Sequence, residues 1–140
     1  MNAHPLTPQQ IEQLLEAAQS VSEMAYAPFS HFCVGAAILT NGGKVFTGCN
    51  VENSSYGLTN CAERTAIFTA VSEGAVTAEH DLRAVAVVNK DGAACSPCGA
   101  CRQVIYEFGP DAIVIFRATD GEITQRRADE LLPEGFRLRG

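Results

Sequence analysis

Leu82-Arg83-Ala84-Val85-Ala86-Val87-Val88 is a nearly continuous apolar run. A strand that faces water on one side alternates; one that does not alternate is of the kind buried on both faces. Such a strand needs helices above and below it, and the flanking sequence supplies them. Upstream, Thr7-Pro8-Gln9-Gln10 reads as an N-cap, a proline at the first helical position and a capping-box glutamine. Ile11, Leu14, Leu15, Ala18, Val21 and Ala25 then recur at helical spacing and predict a helix that stops near Pro28. Residues 33–39 are apolar, Asn41-Gly42-Gly43 is turn chemistry and residues 44–50 alternate, which together predict a β-hairpin. Asn60-Cys61-Ala62-Glu63 opens a second helix, with Ala66, Ile67, Ala70 and Val71 inward and Gly74 as its stop. Downstream, Ser96-Pro97 starts a third helix that buries Val104, Ile105 and Phe108 and ends at Gly109-Pro110. Strands at 112–116 and 122–124 flank Asp120-Gly121, and a short helix near 127–132 precedes an irregular tail. Strand pairs interleaved with helices predict one three-layer α/β/α domain over residues 1–140, with a mixed five-stranded sheet.

Composition narrows the function. The 140 residues are 46% apolar and 19% charged, enough to bury an ordinary core. Ten basic against sixteen acidic residues leave a net charge of −6. That balance argues against nucleic-acid partners, whose phosphates need concentrated Lys and Arg, and against an anionic membrane surface. No apolar stretch is long enough to cross a bilayer. The start, Met1-Asn2-Ala3-His4-Pro5, has neither a basic nor an apolar leader region, so a cytoplasmic location is expected. Six cysteines in such a protein point to reduced thiols used for metal or catalytic chemistry.

Three of these cysteines cluster at predicted helix starts. Cys61 begins the second helix, while Cys98 and Cys101 sit in the first turns of the third, on one face by their i,i+3 spacing. A helix N-terminus favours the thiolate, the form that binds metal. Three thiolates suit tetrahedral Zn²⁺, and a three-ligand site leaves one position open, as catalytic sites do. Glu63 lies two residues from one thiolate. Asn60-x-x-Glu63 also fits a capping box, which would make this glutamate structural. A hydrolytic zinc site needs a carboxylate there as a base, whereas a structural site does not. Arg64 is either a donor to the sulfurs or an exposed helix arginine. Cys95-x-x-Cys98-x-x-Cys101 leaves open a Cys₄ structural site or part of an iron–sulfur run, against which Ser96-Pro97 turns Cys95 away from the helix. Cys33 and Cys49 read as core residues, His4 and His80 as surface residues, and His31 as a structural hydrogen-bonding residue.

Cys61-Ala62-Glu63-Arg64, followed by Pro97-Cys98-Gly99-Ala100-Cys101-Arg102-Gln103, resembles the zinc signature of the cytidine deaminases, in the branch with three cysteine ligands that acts on free nucleosides. The resemblance extends to Ala25-Tyr26-Ala27-Pro28-Phe29-Ser30-His31-Phe32, to Gly48-Cys49-Asn50-Val51-Glu52-Asn53 and to Glu130-Leu131-Leu132-Pro133. It implies that Cys61, Cys98 and Cys101 hold one Zn²⁺ per subunit and that Glu63 shuttles protons without binding the metal. It implies further that Asn50 and Glu52 bind the ribose hydroxyls, Phe32 lies against the pyrimidine and Ala62 offers its backbone to the base. Phe136 would match a C-terminal aromatic that closes the pocket of a neighbouring subunit, and the assembly would be a homotetramer.

The reaction implied is hydrolytic deamination of cytidine and 2'-deoxycytidine, as in pyrimidine salvage, with a zinc-bound water as nucleophile and Glu63 as its base. The substrate is then a small nucleoside, with neither nucleic acid nor membrane as partner. Two alternatives stand beside it. A blasticidin-S-type deaminase shares the metal motif but lacks the pair formed here by Asn50 and Glu52. A non-enzymatic zinc- or cluster-binding module would tolerate loss of Glu63.

Overall fold

The computed structural model describes residues 5–138, so His4 lies outside the described residues. Helix α1 (Pro8–Val21) starts as its sequence predicts. Thr7 Oγ1 accepts from the Gln10 amide at 3.1 Å and the Gln10 side chain accepts from the Thr7 amide at 2.9 Å, closing the capping box. It stops earlier than expected. A 3₁₀ turn at Ser22–Met24 takes over, leaving Ala25 outside the helix.

Strands β1 (Val34–Thr40) and β2 (Val45–Cys49) form the expected hairpin. Helix α2 (Ala62–Ser72), strand β3 (Leu82–Asn89), helix α3 (Gly99–Phe108), strands β4 (Ile113–Arg117) and β5 (Ile123–Arg127), and the short helix α4 (Ala128–Leu131) follow. The sheet order is β2-β1-β3-β4-β5, with β3 and β4 parallel and the other neighbours antiparallel. The sheet is mixed and five-stranded, as the sequence predicts.

The side-chain alternation of the strands sorts the core into two layers. Ala37 and Leu39 of β1, Ala84 and Ala86 of β3 and Ile115 of β4 meet Leu14 and Ala18 of α1. Val34, Ala36 and Ile38, Val85 and Val87, and Val114 and Phe116 point the other way, onto Ala66, Ile67 and Ala70 of α2 and Ile105 of α3. Each large aliphatic side chain buried here contributes about 1.5–3 kcal/mol relative to exposure. Alanine fills many inward positions, so the helices lie close to the sheet. At Gly48 in β2 the approach is closest to the site: a Cβ there would stand 2.5 Å from the Ala66 nitrogen and 2.8 Å from the Ala62 carbonyl oxygen.

Topology then places the helix starts. β2 and β3 both run antiparallel to β1, so both end at the edge where β1 begins; Asn50 N donates to Val34 O and Asn89 pairs with Val34. The helix after each strand therefore opens at that one edge, where α/β folds commonly build their sites.

Candidate active site

Cys61 and Cys98 are the N-cap residues of α2 and α3, each in extended backbone just ahead of its helix. Helix α2 thus begins one residue after Cys61, where it was expected to start, and α3 begins two residues after Pro97. The Asn60-x-x-Glu63 capping box does not form. The cap position is Cys61, and Asn60 Nδ2 donates instead to Thr65 Oγ1 at 3.1 Å. Glu63 turns inward, 4% exposed, with its carboxyl hydrogen-bonded to its own backbone amide and to Cys101.

The sulfurs of Cys61, Cys98 and Cys101 lie within 4.8 Å of one another, with Cys61 and Cys98 at 3.9 Å. A tetrahedral zinc with bonds of about 2.3 Å requires sulfur separations of about 3.8 Å. The cluster therefore fits zinc in donor type, number and spacing. Cys95 is not part of it. It stands outside the group of three sulfurs, its amide donates to Arg117 O, and burial pushes its thiol up to about 12.

Arg64 is not an exposed helix residue. Its guanidinium donates to the Cys61 sulfur at 3.3 Å, and this bond raises its pKa further. Cys61 is held down to about 5, by a hydrogen bond from Cys101 and then by Arg64, while the same bond and burial drive Cys101 up. Burial raises the Glu63 carboxyl to about 7, with the negative charge of Cys61 adding to the effect. The cluster is a negative pocket balanced by one arginine and two helix N-termini.

A cavity of about 220 Å³ opens onto it, lined by Phe32, Val34, Asn50, Thr59, Cys61, Ala62, Glu63, Cys95, Ser96 and Cys98. A second, of about 270 Å³, is lined by Phe29, Ser30, Glu52, Tyr56 and Thr59. The two adjoin at Thr59. Each alone is small for a ligand site, and together they reach the usual range of roughly 300–1,000 Å³. Asn50 and Glu52 do not lie within a strand end, because β2 stops at Cys49. Val51, between them, bridges to Tyr26 and Asn60. The Asn50 amide is spent on the backbone, accepting from Val34 N at 2.9 Å and donating to Phe32 O at 2.8 Å. Glu52 accepts from the amides of Phe29 and Ser30 and from the Ser30 hydroxyl, which hold its carboxyl below the usual range.

Phe136 is exposed and lines neither cavity; its carbonyl accepts from Gln103 Nε2 at 3.2 Å. Arg102 donates to Pro97 O and Leu131 O, tying the metal loop to α4. Cys33 and Cys49 are half-buried and not core residues. His31 lines neither cavity, and His80 is partly exposed, with Nδ1 3.0 Å from Asp111. Sequence reading missed Ser30, Thr59 and Tyr56. Ser30 lies in the 25–32 stretch that carries the resemblance, but no role follows from its local pattern, since only the tertiary fold brings these loops together.

A family model described as the cytidine and deoxycytidylate deaminase zinc-binding region matches residues 8–117. The chain belongs to this family. Zinc is accordingly its metal, and the three-cysteine cluster is the group suited to hold it. Similar proteins include the cytidine deaminase of Halalkalibacterium halodurans, 48% identical over 126 residues that span 89% of this chain and 92% of that one. The cytidine deaminase of Sporosarcina psychrophila is 44% identical over 127 residues, 90% of each chain. Among solved structures, cytidine deaminase from Burkholderia pseudomallei superimposes with a TM-score of 0.82 at 48% identity, covering 94% of this chain and 100% of that one. Cytidine deaminase from Mycobacterium tuberculosis gives a TM-score of 0.77 at 40% identity, covering 91% and 98%. The dCMP deaminase of cyanophage S-TIM5, at 18% identity and a TM-score of 0.53 over 71% of this chain and 76% of its own, shares the fold.

Proposed function

We propose that this chain catalyses the hydrolytic deamination of cytidine and 2'-deoxycytidine to uridine and 2'-deoxyuridine, with release of ammonia. One observation carries the reading: Glu63 is buried against the three-cysteine cluster, in a cavity that Asn50 and Phe32 also line. Cys61, Cys98 and Cys101 would hold the zinc, which when bound supplies Lewis acidity that activates water. Glu63 takes a proton from the attacking water and delivers it to N3 of the pyrimidine, making C4 electrophilic. The water oxygen bonds to C4. Glu63 then takes the remaining proton from that oxygen and passes it to the 4-amino nitrogen; the C4–N bond breaks with its electron pair leaving on ammonia, and C4 is left as the carbonyl of uridine. A carboxyl so deeply buried gains little from staying charged, which suits a group that must return each proton it accepts.

Arg64 steadies the Cys61 sulfur, Phe32 packs against the pyrimidine and the Ala62 backbone meets the base. Asn50 supports the ribose half, and Glu52 accepts from a ribose hydroxyl. Among the described residues, no Lys or Arg lines either cavity, which favours a nucleoside over a nucleotide. A site of three reduced thiols favours the cytoplasm. Among the described residues no helix is long and apolar enough to cross a membrane. The assembly is a homotetramer in which Phe136 of one subunit closes the site of another.

The test is the ultraviolet spectrum of cytidine mixed with the zinc-replete protein. Conversion to the uridine spectrum with stoichiometric ammonia supports the reading. An unchanged spectrum, with zinc bound and the fold intact, would overturn it.

A further inference from the structure

The segment between α1 and β1 contains one hydroxyl that ties the two halves of the cavity together. Ser30 Oγ donates to one carboxylate oxygen of Glu52 and accepts from the Phe32 amide at 3.0 Å. The other carboxylate oxygen accepts from the Ser30 amide at 3.2 Å and the Phe29 amide at 2.9 Å. Phe32 walls the half beside the cysteine cluster and Glu52 the other half. His31, between Ser30 and Phe32, has φ +59°, and this left-handed turn lets the hydroxyl reach back to the Phe32 amide.

The segment does not depend on this hydroxyl for its place. Tyr26 N donates to Asn50 O, Glu52 N to Tyr26 O and His31 N to Ala27 O, so the backbone is already fixed at both ends. What the hydroxyl sets is the carboxylate. An ionised carboxylate has about four acceptor positions and no donor. Three of them are filled by Phe29 and Ser30, which leaves about one for a ligand hydroxyl, in a fixed direction.

We propose that Ser30 is a positioning residue for sugar recognition, aiming the Glu52 carboxylate at a single hydroxyl of the nucleoside. This rests on the reading of Glu52 as the sugar-binding carboxylate. The discrimination between a sugar with its hydroxyls and one without them then passes through Ser30.

The experiment is a steady-state comparison of cytidine with 2',3'-dideoxycytidine for the zinc-replete wild type, Ser30→Ala, Glu52→Gln and the double variant. Ser30→Ala should lose about tenfold in kcat/KM on cytidine, mostly through KM, the scale of one charge-assisted hydrogen bond. Its kcat/KM on dideoxycytidine should stay within about twofold of wild type, which also shows that the variant is folded. In the Glu52→Gln background, Ser30→Ala should cost nothing further on cytidine. Equal losses on both nucleosides, or the same tenfold loss in the Glu52→Gln background, would assign Ser30 a merely structural role and overturn the proposal. Wild-type discrimination retained by Glu52→Gln removes the underlying assignment of Glu52, and an inactive wild type removes the reaction itself. These failures are separately visible.

Discussion

Glu63 and Arg64 sit side by side on α2 but act in different directions, and substitutions should separate them. Glu63 is buried against the cysteines without a capping bond, so Glu63→Gln keeps shape and volume and removes only proton transfer. The expected outcome is normal zinc content by metal analysis and a fall in kcat of at least ~10²-fold. Arg64 instead bonds the Cys61 sulfur at 3.3 Å. Arg64→Ala should weaken metal retention about 10–100-fold, measured by competition with a chromogenic chelator. The three-cysteine cluster is legible in the sequence because the i,i+3 pair and two helix starts are local features. The capping-box reading of Glu63 was the local alternative, and it failed because Cys61 took the cap and Asn60 turned to Thr65. Ser30 was illegible for the opposite reason. Both its stretch and that of Glu52 carry the resemblance, but the bond between residues 22 apart appears only once the fold brings them together.

At the scale of elements, α2 holds the cysteine and the acid, and the closeness of α2 to β2 fixes where they stand. Gly48 makes that approach possible. The Cβ of Gly48→Ala would press on backbone atoms of α2, which cannot rotate away as a side chain can. The substitution should destabilise the fold by about 1–3 kcal/mol in urea unfolding and lower activity at temperatures where the protein is still folded. At the other face, Thr7→Ala removes the capping bond at the start of α1 and should cost about 1 kcal/mol with unchanged activity. The two variants together distinguish a helix that carries the site from one that only covers the sheet. Elements with a strong apolar period were read closely from sequence, as β3 shows. For the edge strand β5 the sequence predicts three residues, and the strand runs to five, Ile123–Arg127. Its residues are mostly exposed, so the pairing with β4 defines it where hydrophobic alternation does not.

At the scale of the whole molecule, the single chain presents an apolar rim around an open cavity. Phe29, Phe32 and Tyr56, which line the two cavities, are exposed, and Phe136 is exposed on the tail. Exposed aromatic groups of this kind mark surfaces that associate. A tetramer in which the tail aromatic of one subunit covers the cavity of another accounts for both features together. The prediction is a mass in sedimentation equilibrium four times that of one chain. A sharper one concerns exchange of sites. Phe136→Ala should be impaired because its cavities are left open, and Glu63→Gln because its acid is gone, by at least ~10²-fold. Co-refolded from denaturant as a mixture, the two chains form sites that combine an intact Glu63 from one subunit with an intact Phe136 from its neighbour. Activity should then rise well above the average of the two parents refolded separately. If Phe136 served only its own chain, every site in the mixture would carry the defect of its own subunit, and the mixed sample would show no more than that average.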